Sequence, residues 1–185
     1  METHSATADR VVEAATSVVQ SRGYNGFSYA DIADMVGIRK ASVHHHFAGK
    51  GDLGQETASR YRRAFGEALA DIESGTDDPV VRLGRYAELY ARQLSENGRM
   101  CLCGMLAAEY ETLPAAVQGE VRGFFEDQRA WLARVLGGGR RPAADARRRA
   151  DVVLAGLEGA LLIARTDGSV ARFRRTSRAL IDAVV

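Results

Sequence analysis

Apolar residues recur at intervals of three and four along almost the whole chain. No stretch of four to eight residues alternates between apolar and polar with turn residues at its ends. This pattern predicts an all-α protein. Residues 8–22 form a first helix that buries Val12, Ala15, Val18 and Val19, stopped by Gly23, which tolerates the left-handed backbone that closes a helix. Ser28 is an N-cap with Asp31 three positions on, so a two-turn helix carries Ile32, Ala33 and Val36 inward and ends at Gly37. A second two-turn helix opens at Arg39 and runs to Phe47. It turns Ile38, Val43 and Phe47 inward and Arg39, Lys40, Ser42, His44 and His45 outward.

Longer stripes follow. Residues 52–73 align Leu53, Thr57, Tyr61, Phe65, Leu69 and Ile72 on one helix face. Pro79 starts a helix with Val80, Leu83, Ala87, Tyr90, Ala91 and Leu94 together, ending near Asn97 and Gly98. A shorter helix covers 103–111. Pro114 then opens a long one with Val117, Val121, Phe124, Gln128, Leu132 and Val135 in line, closed by Gly137 to Gly139, and residues 140–144 form a linker. Two helices remain, 145–165 and 169–184. In the first, Gly156, Ala160 and Ala164 make a small-residue ridge beside Val153, Leu157 and Leu161; the second offers Phe173, Leu180 and Val184. These two are expected to form a four-helix bundle with a second copy, giving a homodimer held by residues 145–184. The count is about nine helices, in a segment 1–51 and a larger segment 52–185.

Composition narrows the reading. A chain of 185 residues, 46% hydrophobic, with 3 prolines, can bury a core. Its formal net charge of +1 gives no globally basic coat, so nucleic-acid contact must be local. That local charge lies between residues 39 and 63, where Arg39, Lys40, Lys50, Arg60, Arg62 and Arg63 face only Asp52 and Glu56; Lys40 and Lys50 are the chain's two lysines. Apolar runs stop well short of the roughly 20 residues a membrane span needs, and the N-terminus has no signal-like apolar region, so a cytoplasmic protein is expected. Two cysteines one residue apart, Cys101 and Cys103, build no disulfide scaffold.

Two short helices joined by a Gly-containing turn, the second with a basic outer face, describe a helix-turn-helix. The segment FSYADIADMVGIRKASVHHHFAGKGDL resembles the DNA-binding signature of the TetR family of transcriptional regulators, with Ile32, Ala33, Val36, Gly37, Ile38, Phe47, Lys50 and Leu53 in register. The resemblance implies a repressor that binds a palindromic operator as a homodimer and is released by a small-molecule inducer. It puts Ser28, Tyr29 and Lys50 at phosphates, and Arg39, Lys40, Ser42, His44 and His45 on the groove-facing helix. Arg and Lys suit guanine or phosphate there, and Ser and imidazole suit either. His44 stands where the family usually has Tyr, and Ala41 replaces a frequent Gly.

Other chemistries find little support. His44, His45 and His46 lie about 100° apart on a helix and cannot converge on one metal ion. The remaining histidine, His4, leaves no Ser-His-Asp or Cys-His arrangement for a hydrolase in the body of the protein, and Gly137 to Gly139 lack the strand and lysine of a phosphate loop. No enzyme, cofactor or metal is expected. The segment from Met100 to Glu109 resembles a Gly-Cys-Leu motif of one TetR subgroup that includes thiol-using sensors, with Met100 in place of Gly. Cys101 and Cys103 are thus candidates for a redox or electrophile sensor, with Arg99 as a charge favouring thiolate. A lysine-linked sulfenamide is impossible because no lysine follows Lys50. The candidate inducer pocket comprises Tyr61, Phe65, Tyr86, Tyr90, Met100, Met105, Leu106, Glu109, Tyr110, Phe124, Gln128 and Trp131: apolar walls with few polar groups.

Overall fold

The computed structural model describes residues 2–96, 98–137 and 143–185, with side chains from residue 6 onward. The expected end near Asn97, the glycines 138 and 139 and most of the 140–144 linker lie outside the described residues, as does the side chain of His4. Among the described residues there are nine α-helices and no strand: α1 (Glu2–Arg22), α2 (Tyr29–Val36), α3 (Lys40–His46), α4 (Lys50–Gly75), α5 (Pro79–Ser95), α6 (Leu102–Ala108), α7 (Ala115–Leu136), α8 (Ala143–Arg165) and α9 (Val170–Val184), with a 3₁₀ turn at Tyr110–Thr112.

The punctuation residues explain most boundaries. Ser28 and Asp31 form the reciprocal capping box at the start of α2, and Gly37 ends that helix at φ +72°. Asp78 accepts from the N–H groups of Val80 and Val81, with Pro79 at the first helical position of α5. Ser169 caps α9 by accepting from Arg172. Several boundaries depart from expectation: α8 begins at Ala143, inside the expected 140–144 linker, and α4 runs from Lys50 to Gly75 rather than 52–73. The first helix begins at Glu2, six residues early, because the polar start contains no breaker yet shows no apolar stripe to reveal it. The sixth ends at Ala108 because Glu109 leaves helical geometry, which lets its carboxylate reach another segment.

By packing, the described chain divides into two compact units: Met1–Arg63 with Leu102–Gly123, and Ala64–Cys101 with Phe124–Val185. In the first, α1 packs against α2, α3 and α6 around Val11, Ala15, Ile32, Val43 and Leu53, all without exposed surface. In the second, α5, α8 and α9 pack on one another around Tyr86, Tyr90, Leu157, Leu161 and Phe173. The α7 stripe is buried along its whole length, Gln128 included.

Three apolar positions are corrected. Val80, placed inward from the sequence, is 45% exposed on the first turn of α5. Ile38 and Phe47 are half-buried rather than core. The small-residue ridge of α8 serves contacts within the chain: a Cβ on Gly156 would run into a methyl of Leu180 on α9, and Ala160 and Ala164 are buried. Phe173 and Val184 are buried in the same way. What α8 turns outward is a different stripe, Val152, Ala155, Gly159, Leu162 and Ile163, with Leu162 and Ile163 each 57% exposed.

Candidate functional site

The first unit builds a helix-turn-helix whose second helix is fixed from behind. Val43 is fully buried and pins α3 against the module, while the N–H of Ile38 reaches back to Ala33 O at 3.0 Å across the turn. The Arg10 guanidinium donates to Val36 O, tying α1 to the end of α2. Tyr29 is buried, and its hydroxyl donates to Phe47 O at 3.0 Å, so α2 holds the C-terminal end of α3. Burial, with smaller contributions from Asp52 and Tyr24, pushes the Tyr29 phenol up to about 12. His44 lies over the Tyr29 ring with centroids 4.6 Å apart. Arg39, Lys40, His44 and His45 are exposed and Ser42 half-exposed, leaving one polar, basic surface on α3. Ser28 is exposed; its N–H and hydroxyl both donate to Asp31, which holds that carboxyl below its ordinary range.

Lys50 is half-buried. Its ammonium donates to Phe27 O at 2.7 Å and sits 4.7 Å from the Tyr24 ring centroid and 4.4 Å from that of Phe27. Burial lowers its pKa, against weaker support from Glu109 and Asp31. Glu109 is spent in the same neighbourhood. Its carboxylate accepts from the backbone N–H groups of Tyr24 and Asn25, and the Asn25 amide donates to Thr112 at 2.7 Å. Gly23, at φ +81°, leaves room for this: a Cβ there would stand 2.8 Å from the carboxylate oxygens. The 3₁₀ segment after α6 therefore grips the turn between α1 and α2.

The second unit contains an aromatic cluster. Tyr86 and Tyr90 share a hydroxyl–hydroxyl hydrogen bond of 3.1 Å, Tyr86 lies 5.4 Å from Trp131, and Phe65 meets Tyr90 and Phe124 edge-on at 5.7 and 5.2 Å. Burial raises the pKa of both tyrosines, so both stay neutral. Three sealed polar atoms here have no hydrogen-bond partner: Gln128 Oε1, Trp131 Nε1 and Glu158 Oε1. Glu158, on α8, is acid-weakened by burial to a pKa of about 7, only partly offset by a hydrogen bond from the Cys101 thiol. Its charge is felt by Tyr86 and Tyr90.

The residues expected to line an inducer pocket separate between the units. Phe65, Tyr86, Tyr90, Met100, Phe124, Gln128 and Trp131 belong to the second; Tyr61, Met105, Leu106, Glu109 and Tyr110 belong to the first. Glu109 holds the α1–α2 turn, and the Tyr110 hydroxyl accepts from Arg122 at 2.7 Å. Cys101 and Cys103 are fully buried thiols with no disulfide. Sequence reasoning missed Glu158, although the signal was present: it is the sole charged residue between Asp151 and Arg165. Among the described residues no group of His, Cys, Asp and Glu could hold a metal, and no helix is long and apolar enough to cross a membrane.

A helix-turn-helix module followed by a larger helical body is the arrangement of one-component bacterial regulators. Residues 11–57 match the family model described as bacterial regulatory proteins, tetR family; residues 79–179 match that of the transcriptional regulator LmrA/YxaF-like C-terminal domain. A TetR-family transcriptional regulator from Agrobacterium tumefaciens superposes with a TM-score of 0.92 at 34% identity, covering 98% of this chain and 99% of that one. A TetR regulator from Legionella pneumophila gives 0.90 at 28% identity, covering 95% and 96%. The chain belongs to the TetR family of transcriptional regulators. The HTH-type transcriptional regulator LmrA of Bacillus subtilis is 28% identical over 104 residues, and the match spans 55% of each protein, about half the length of that relative. The reduced form of Escherichia coli NemR shares the fold, with a TM-score of 0.80 at 21% identity, covering 94% of each chain.

Proposed function

We propose that the protein is a cytoplasmic homodimeric repressor that binds an inverted-repeat operator and is released by a small molecule held in its second unit. It acts without a catalytic step. The observation that carries this reading is the pairing of an exposed basic α3 with a separate buried aromatic cluster containing unpartnered polar atoms. Arg39, Lys40, Ser42, His44 and His45 read the major groove; Ser28 contacts phosphate, and Lys50 offers phosphate the two ammonium protons that Phe27 leaves over. Tyr29, its proton committed to Phe47, sets the angle of α3. The functional division falls near residue 51. The second copy docks on Val152, Ala155, Gly159, Leu162 and Ile163, the face of α8 left uncovered within the chain.

Release is a population shift. Met100 and Cys101 lead directly into α6, and Glu109 beyond it grips the α1–α2 turn, so a ligand beside Cys101 biases the DNA-reading module through that covalent path. Phe65, Tyr86, Tyr90, Met100, Phe124, Gln128 and Trp131 form the ligand set, to which Glu158 is added.

Protection of intergenic DNA flanking the gene, by footprinting, tests the reading. Lys40→Ala should change preference at particular bases, and Ile163→Glu should convert the dimer to a monomer that binds DNA at least tenfold more weakly. Absence of any protected inverted repeat would overturn it.

A further inference from the structure

Buried polar groups are rarely left without partners, so the three orphaned atoms of the second unit need an explanation. Two are acceptors, Glu158 Oε1 and Gln128 Oε1, and one is a donor, Trp131 Nε1. Gln128 and Trp131 are three residues apart on α7 and so share a face; Trp131 stacks near Tyr86, and the Glu158 charge is felt at both Tyr86 and Tyr90. A buried carboxyl oxygen is thus left without a partner in the neighbourhood of Tyr86 and Tyr90. No arginine or lysine among the described residues pairs with it, and the thiol of Cys101 is the one group that donates to it.

Resting on the reading that this unit holds the inducer, we propose that the ligand class is an organic cation, a protonated amine or quaternary ammonium carrying an apolar body. The Glu158 carboxylate is its counter-ion and Tyr86, Tyr90 and Trp131 are its wall. The chemistry converges from two sides. A ring face attracts a cation and repels an anion, and a desolvated carboxylate without a cation is costly until one arrives. A ligand N–H or polarised N–CH₃ group also gives Glu158 Oε1 the positive partner it lacks, which an anion or a hydrocarbon cannot do. Where α8 meets α9, the charged side chains paired in the structure are committed elsewhere: Arg174 to Glu88 and Arg172 to Asp167. The titratable groups that interact with Glu158 include Tyr86 and Tyr90 from α5 and Cys101 ahead of α6.

The single tryptophan makes the test direct, because Trp131 is the chain's only indole and lies in the wall. Benzyltrimethylammonium and its uncharged isostere neopentylbenzene are titrated into the free protein while Trp131 fluorescence is followed. Saturable binding of the cation, at least tenfold tighter than the isostere, is expected; so is a cation affinity that rises from pH 6 to pH 8 as Glu158 ionises. Glu158→Gln should weaken the cation at least tenfold and leave the isostere within twofold. Equal affinity for both probes, no saturable response to the cation, or unchanged cation binding in Glu158→Gln would overturn the proposal. Operator release is measured separately. A cation that binds as expected but leaves DNA affinity unchanged would sink the regulatory reading and spare the ligand class.

Discussion

Lys50 in the first unit and Glu158 in the second are both charged groups whose charged form burial disfavours, and they differ in the partners they are given. Lys50 has a carbonyl at 2.7 Å and two rings against its ammonium, whereas Glu158 has a thiol and one oxygen with nothing. A buried charge with its partners in place holds structure together; one without them stores free energy that a ligand can release. Under the function proposed above, the contrast makes the first unit a preformed surface and the second the place where a ligand would relieve a strained group.

The sharpest way to break this comparison is through pH. The folded-state pKa of Glu158 lies near 7 against an ordinary value of 4.5, so the folded protein binds the extra proton. Its contribution is fully present below pH 4.5 and is lost as pH rises through 7. Glu158→Gln should therefore be more stable than the parent at pH 8 by about 3 kcal/mol, the gap closing towards pH 4. Urea unfolding across that range checks it; a constant difference would mean the carboxyl is not strained. Next in size is Lys50→Met, which keeps most of the apolar stem but strands Phe27 O. A loss of about 2 kcal/mol at pH 7 is expected by the same measurement, opposite in sign to the Glu158 change. Smallest is Glu109→Gln, which weakens the charge-assisted bonds to Tyr24 and Asn25 at a cost of roughly 1 kcal/mol. Hydrogen exchange of those two amides should accelerate while amides of the second unit keep their rates.

The sequence was most readable where periodicity and punctuation agree. The buried α7 stripe and the capping box of Ser28 and Asp31 follow from spacing alone, because both are local devices. Periodicity was weaker at naming partners. The ridge of Gly156, Ala160 and Ala164 announces that something packs closely on α8, but spacing cannot say whether the neighbour is α9 of the same chain or a second copy. Tyr29, Lys50 and Glu109 share this difficulty: their partners are backbone atoms, which carry no signature in sequence. Glu158 was legible as a lone acid in an apolar run. Its meaning depended on which rings the fold gathers around it.

The grip of Glu109 on the α1–α2 turn also has a genetic consequence. Gly23 combines a positive φ with a carboxylate where its side chain would stand, so missense changes at that codon are expected to strain the turn and push Glu109 off it. In a cell carrying both alleles, the homodimer proposed above would let such a product pair with wild-type chains through the outward face of α8. Each mixed pair would then present one competent reading head to the proposed inverted-repeat operator. Alleles altered at Gly23 are therefore expected to be dominant, whereas alleles that unfold the whole chain, and so withdraw from pairing, are expected to be recessive.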